Sequence, residues 1–363
     1  MKLAHPHLAS LEPYQPGKPV EELERELGIE NAVKLASNEN PMGPSPAAVQ
    51  AMEAAVAGVH RYPDAGLHAL RERLAAMHRI APGELAFGNG SNELIDQICR
   101  VFSGHGTSGV HGAPSFVCYG LGLQASGAER IVVPLRAGTH FDVDALLEAI
   151  RPDTRLIFID NPNNPTSTHV PAAALERLLS ALPEHLIPVL DEAYVHFVDA
   201  PDYRSALELR HLNENLIVLR TFSKAYGLAA TRVGYAIAHP SIVADLERVR
   251  APFNVGNVGQ AGALAALDDP AHVERYVALN ASERTRLSTA LAKMGFAVAP
   301  SQANFLFVEL PDGSDEADVV YEALLRRGVI VRAFGPLPRH LRVTVGLPEE
   351  NDRLLTALEA VLA

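Results

Sequence analysis

The sequence predicts an α/β protein in which a mostly parallel sheet carries helices on both faces and a smaller α+β unit follows. Two observations predict it. Through the first two thirds of the 363 residues, short apolar runs alternate with segments whose apolar residues recur at i, i+3 and i+4. Strands buried on both faces and joined by amphipathic helices leave this pattern. Over the last hundred residues one long helical stretch is followed by strand, helix and two further strands, a different arrangement. The length also favours two domains over a single core.

The elements follow in order. Residues 1–40 are rich in Pro and Gly and read as an arm that joins the smaller domain and a dimer contact. The larger domain is expected over 41–245. Its strands are "LAF" (85–87), "RIVVPL" (130–135), "LIFID" (156–160), "IPVLD" (187–191), "LIVLR" (216–220) and "GYAIA" (234–238). The clearest helices are "NELIDQICRVF" (92–102) and "AAALERLLSAL" (172–182). The smaller domain is expected over 246–363. It holds a helix near 271–294, the strand "ANFLFVEL" (303–310), the helix "EADVVYEALLRRG", then "VIVRA" and "HLRVTVG".

Composition narrows the function. Net charge is −12 with no basic block, so neither nucleic acid nor an anionic membrane is an expected partner. No run of about 18 apolar residues offers a membrane span, and "MKLAHPHLASLEPYQPGKP" lacks the apolar stretch of a signal peptide, so the cytoplasm is expected. Cys99 and Cys118 match no zinc spacing and read as buried reduced thiols. The 15 histidines form no ligand pair, and no metal is expected.

Four segments combine residues that chemistry could use. In "FGNGSNELIDQI" (87–98) a strand end, two glycines, Ser91 and Asn92 lead into a helix. Such a junction is either an anion site built on the helix N-terminus or an ordinary capped helix. Asp191 directly follows an apolar run, where a carboxylate is costly unless paired, and Tyr194 lies three residues on. "IDNPNNPTST" (159–168) is a rigid turn whose Asn164 can also present an amide. "TFSKAYGLAATRVGY" (221–235) holds Lys224 eight residues before Arg232. Lysine and arginine usually sit at the surface, but an amine, an acid, an amide and an anion cradle together are the parts of a pyridoxal phosphate site. "GLGLQA" (120–125) matches a dinucleotide fingerprint without the preceding strand or the distant acid, so packing by small residues is the better reading.

With these residues assembled, the chain resembles the fold-type-I pyridoxal-phosphate aminotransferases, and within them the histidinol-phosphate branch. The likeness is carried by "PYQPGKP" (13–19), "KLASNENPMGPSP" (34–46), "RYPD" (61–64), "GNGSNELI" (88–95), "NPNNPT" (161–166), "LDEAY" (190–194), "TFSKAYGLAATRVGY" (221–235), "APFNV" (251–255), "ANF" (303–305) and "LRVTVG" (341–346). It implies a seven-stranded, mostly parallel sheet and pyridoxal 5'-phosphate as cofactor. Lys224 resembles the Schiff-base lysine and proton shuttle, and Asp191 the partner of the pyridine nitrogen. Tyr194 and Asn164 are implied to hold the phenolic oxygen, Phe116 to stack on the ring, and Ser91, Asn92, Thr221, Ser223 and Arg232 to bind the phosphate. Tyr62 is similar to a tyrosine that reaches the neighbouring subunit's phosphate, which implies a homodimer with shared sites. Arg342 resembles the arginine that takes the substrate carboxylate, with Tyr14, Asn40 and Arg332 around the rest of the substrate.

The implied reaction moves an amino group between L-histidinol phosphate and 2-oxoglutarate, in histidine biosynthesis. The alternatives are an aromatic amino-acid aminotransferase and a threonine-phosphate decarboxylase-like lyase. Ser167 stands where the family has glycine, Thr231 accompanies Arg232, and the segment between Arg332 and Arg342 is short. These departures lie where substrate side chains are read.

Overall fold

The computed structural model describes residues 5–14 and 16–362; residues 1–4 of the expected arm, residue 15 and residue 363 lie outside the described residues. Among the described residues thirteen strands occur. The arm contributes β1 (Val33–Lys34). The larger unit holds β2 (Leu85–Asn89), β3 (Ser108–Ala113), β4 (Glu129–Pro134), β5 (Thr154–Asp160), β6 (Ile187–Asp191), β7 (Ile217–Thr221) and β8 (Val233–Ile237). The smaller unit holds β9 (Ala297–Val298), β10 (Phe305–Glu309), β11 (Val329–Ile330), β12 (Arg332–Ala333) and β13 (His340–Thr344).

Seven strands form one sheet in the order β2-β8-β7-β6-β5-β3-β4. Only β8 runs against its neighbours, β2 and β7; the remaining pairs are parallel. Both faces are buried, and the period of two divides the side chains between them. Ile157, Ile159, Leu190 and Val218 pack under the helix Ala172–Ala181 through Leu175, Leu178 and Leu179. Leu156, Phe158, Val189, Ile217 and Leu219 face the helix Ser91–Phe102 through Leu94, Ile95 and Ile98.

The same alternation aims the strand ends. Asp160, Asp191 and Thr221 close β5, β6 and β7 in phase with Phe158, Val189 and Leu219, so all three belong to the face covered by the helix Ser91–Phe102. These are carboxyl ends of adjacent parallel strands, where open α/β sheets collect ligands.

One sheet strand, β3, has no counterpart among the predicted apolar runs. Its sequence, SGVHGA, contains Gly109 and Gly112. A Cβ at Gly112 would lie 3.0 Å from Leu135 Cδ2 and closer still to the Phe141 ring, so neighbouring side chains fill the place of its own. The predicted "VIVRA" is two strands. β11 pairs in parallel with β1 of the arm, and β12 pairs with β13 in the four-stranded sheet β12-β13-β10-β9. The arm is thus built into the smaller unit.

Packing favours a later domain division than 245/246. Val255, Ala263, Ala266 and Leu267 belong to the cluster of Phe87, Leu74 and Tyr235 in the larger unit. The helix Pro270–Lys293 then carries Tyr276 beside Tyr194 and Phe305, and Leu287 and Leu291 into the smaller core. We propose that the division runs along this helix. Among the described residues no helix is long and apolar enough to cross a membrane.

Candidate active site

The strand ends open into a cavity of about 700 Å³ at the seam of the arm and the two units. Asp191, buried to 4% exposure, accepts hydrogen bonds from the Tyr119 hydroxyl at 3.1 Å and the Ala193 N–H at 3.0 Å. Burial pushes its carboxyl up to about 6 against those two donors. Asp160 is its in-register neighbour on β5 and is buried to 3%. It accepts from the Asn164 N–H at 2.7 Å and from Asn163 Nδ2 at 3.0 Å. Burial, opposed by the Asn164 N–H and reinforced by Asp191, raises Asp160 to about 8.

Lys224 follows the end of β7. Its Nζ donates to the Ser37 carbonyl at 2.9 Å and lies 5.8 Å from the Tyr194 ring centre. Burial, then the Arg342 guanidinium, lower this amine from 10.5 to about 8. The Tyr194 oxygen accepts from Asn38 Nδ2 at 3.0 Å, which leaves its own O–H proton to donate elsewhere. Phe116 lines the cavity and meets Tyr119 edge to face at 5.6 Å.

At one end the cavity is lined by Ser91 and Asn92, the first residues of the helix Ser91–Phe102. Gly90, at φ 75°, makes the turn, and the Arg232 side chain lies where a Cβ at Gly90 would stand. Thr221 Oγ1 and Ser223 Oγ are 2.9 Å apart beside it. Backbone donors, hydroxyls and a guanidinium at a helix N-terminus suit a phosphate. Thr231 does not join them; its hydroxyl donates to the Leu228 carbonyl at 2.8 Å.

The other end comes from the smaller unit. Arg332 and Arg342 are directly opposed across β12 and β13, and both line the cavity. Like charges in that position are destabilising unless something negative joins them. Arg342 donates to Asn164 Oδ1 and to the Ala36 carbonyl, while its buried Nε has no partner among the described residues. Burial and Arg332 hold its pKa below the usual value, against the opposing effect of Tyr194. Phe334, in the short connection, lies 5.9 Å from one guanidinium and 5.7 Å from the other. Because Arg342 can only donate, it occupies the Asn164 oxygen and leaves the amide N–H groups for the cavity.

The cavity thus gathers Tyr14, Ser91, Asn92, Phe116, Asn164, Asp191, Tyr194, Thr221, Ser223, Lys224, Arg232, Arg332 and Arg342. Two expected residues are elsewhere. Asn40 does not line it; its amide donates to the Ala225 carbonyl at 3.0 Å and accepts from the Met42 N–H, while its neighbour Glu39 faces the cavity. Tyr62 is 81% exposed and stacked on Phe253 at 4.5 Å, outside its own chain's cavity. Sequence reasoning missed Asp160 and Tyr119. Asp160 closes an apolar strand just as Asp191 does, and Tyr119, on the helix Val117–Ser126, follows Phe116, the residue before that helix, by three, so both signals were present. In "GLGLQA", Gly120 and Gly122 lie within that helix, and a Cβ at Gly122 would meet Cys99 Sγ at 2.9 Å. Ser167 adopts φ 61°, the left-handed conformation that glycine takes without cost.

Known proteins resemble this chain in sequence and fold. The family model of aminotransferase class I and II matches residues 30–358. A histidinol-phosphate aminotransferase of Anaeromyxobacter sp. (strain Fw109-5) is 47% identical over the full length of both chains. Histidinol-phosphate aminotransferase 2 of Pseudomonas aeruginosa is 45% identical over 100% of this chain and 98% of its own. The crystal structure of the Sinorhizobium meliloti histidinol-phosphate aminotransferase, in complex with pyridoxal-5'-phosphate, superposes with a TM-score of 0.90 at 30% identity, covering 100% of this chain and 98% of that one. The chain belongs to the class I and II aminotransferases.

Proposed function

We propose that this chain holds pyridoxal 5'-phosphate in the cavity and moves the amino group of L-histidinol phosphate to 2-oxoglutarate, giving imidazole acetol phosphate and L-glutamate. The observation that carries the reading is the convergence of a lowered Lys224 amine, a buried Asp191 carboxyl and two opposed arginines on one cavity. Full-length likeness to enzymes of that name supports the substrate.

The residues fit the cofactor. The helix N-terminus with Arg232, Thr221 and Ser223 matches its phosphate, and Asp191 at the cavity floor matches a protonated ring nitrogen. The Asn164 amide and the Tyr194 hydroxyl supply donors for the phenolic oxygen, and Phe116 offers a ring face. When bound, pyridoxal phosphate supplies an electron sink for the pair left at the substrate Cα.

The chain's own groups do the rest. With a pKa of about 8, roughly a tenth of Lys224 is neutral at pH 7, against a few ten-thousandths for an ordinary lysine. Its Nζ would take the proton from the substrate Cα and deliver it at the cofactor's C4′, general acid–base work of about 10²–10⁴ in rate. Asp191 keeps a proton on the ring nitrogen by a charge-assisted hydrogen bond. Arg342 and Arg332 receive the carboxylates of glutamate or the phosphate of the other substrate, and a planar fork suits either anion. Tyr62 and Phe253, exposed and stacked, suit a homodimer in which Tyr62 reaches the cavity of a second copy.

A panel of amino donors with 2-oxoglutarate tests the reading. Histidinol phosphate is expected to give the highest kcat/KM. Phenylalanine or tyrosine ahead by more than tenfold, about 1.4 kcal/mol, assigns the aromatic alternative instead, and release of CO₂ assigns the lyase.

A further inference from the structure

The cavity floor holds two buried carboxyls in register on adjacent strands, and the proposed chemistry uses only Asp191. We infer that Asp160 is a positioning residue for substrate carboxylate: it anchors the loop 161–168 so that Asn164 braces Arg342 in its receiving pose. The inference rests on the reading of Arg342 given above.

The chain of contacts is continuous. Asp160 Oδ2 takes the Asn164 N–H at 2.7 Å, and Oδ1 takes Asn163 Nδ2 at 3.0 Å. Asn163 Oδ1 in turn accepts from the Thr166 N–H at 3.1 Å and its hydroxyl at 2.8 Å, closing the turn. Pro162 and Pro165 have no N–H, and the Asn161 and Asn163 N–H groups donate to the Asp191 and Thr168 carbonyls, so the Asn164 N–H is the one that goes to Asp160. Asn164 Oδ1 then receives Arg342, whose other terminal nitrogen is held by the Ala36 carbonyl of the arm. Two acceptors, one on the loop of the larger unit and one on the arm, thereby fix the guanidinium plane. A bidentate clamp loses its advantage once its plane is free to rotate. A buried carboxyl is costly, and here both of its oxygens are spent on the loop that carries Asn164.

The test uses the cofactor-loaded enzyme and maleate, a short dicarboxylate, as the probe. For Asp160→Asn we expect the maleate Kd to weaken about tenfold and the KM for 2-oxoglutarate to rise alike. Cofactor affinity should stay within twofold and kcat within threefold. In an Asn164→Ala background the Asp160 change should add nothing further, because it acts through that residue. Asp160→Ser, which retains one acceptor, gives the same comparison where the asparagine variant does not accumulate. Maleate affinity within twofold of the unmodified enzyme would overturn the inference. So would parallel loss of cofactor and maleate, which marks a general scaffold role, or full additivity with Asn164→Ala. Failure of the unmodified, cofactor-loaded enzyme to bind maleate would instead remove the reading of Arg342, and this inference with it.

Discussion

The floor and the rim of the cavity are built on different principles. The floor lies at the ends of β5, β6 and β7, and its ionisable groups are displaced by burial: Asp191 and Asp160 upward, Lys224 downward. The rim is assembled from the arm and the smaller unit. Its arginines are set by register, Arg332 against Arg342, and Glu39 pairs with Lys34 at 2.9 Å. Desolvation prepares groups to exchange protons, whereas opposed like charges prepare a place for an anion. Under the proposed function, damage to the floor groups that meet the cofactor, Asp191 and Lys224, should therefore strike turnover and damage to the rim should strike binding; Asp160, which reaches Arg342 through Asn164, sides with the rim.

The largest effect belongs to Lys224→Ala. Loss of the amine removes both the covalent anchor and the proton carrier, so kcat should fall by at least about 10³ with little change in dicarboxylate affinity. Measured turnover within tenfold of the unmodified enzyme would end the division between floor and rim. Next comes Arg342→Ala. Removing one side of a buried charge-assisted pair costs about 2–5 kcal/mol, so kcat/KM for 2-oxoglutarate should drop by about 30-fold to several thousand-fold, mainly through KM. A loss confined to kcat would show that the rim does more than bind.

A third effect separates the two regions without any turnover. Lys224 titrates near 8 when folded and near 10.5 when unfolded. Between those values the unfolded chain holds a proton that the folded chain lacks, so this group adds stability as pH rises through the window. Below 8 its full penalty remains, roughly 2 kcal/mol once partial exposure is allowed for. Cofactor-free Lys224→Met should thus be the more stable protein at pH 7, and its advantage should vanish by pH 10.5. Asp191→Asn should show the mirror image: its folded value of about 6 exceeds 3.8, so its advantage is present above pH 6 and gone below pH 4. Urea midpoints across pH measure both, and a lysine advantage that persists undiminished at pH 10.5 would contradict the burial argument.

The floor was largely legible in the sequence and the rim was not. Apolar runs revealed six of the seven sheet strands, and a carboxylate or lysine at a strand end stands out against them. β3 stayed hidden because Leu123 and Phe141 fill the space at Gly109 and Gly112, so the strand carries little apolar signal of its own. The rim depends on pairings between distant segments. That Arg332 opposes Arg342 follows from a hairpin register, and nothing in "SNEN" shows that Asn38 turns to Tyr194 while Asn40 turns to a backbone carbonyl. The family resemblance supplied Arg342 and Arg332, but their mutual placement required the fold.

The smallest effect concerns Ser167, which sits in the loop between floor and rim and faces neither. Its φ of 61° costs a non-glycine residue about 1 kcal/mol, which Ser167→Gly would recover. The same change removes the hydrogen bond from Ser167 Oγ to the Thr166 carbonyl, worth about 1 kcal/mol, and adds about 0.5–1 kcal/mol of chain entropy to the unfolded state. The terms nearly cancel, leaving the glycine variant equal or slightly less stable, by under about 1 kcal/mol. The backbone contacts of the loop, Ser167 N–H to Asn163 and the Ser167 carbonyl to Gln302, survive the substitution. Cofactor binding, kcat and the KM for 2-oxoglutarate should then all stay within about twofold. A glycine variant that is several kcal/mol more stable, or that shifts either KM or kcat tenfold, would mean that serine here strains the loop enough to tune one end of the cavity, and the sharp boundary between floor and rim would have to be redrawn through residue 167.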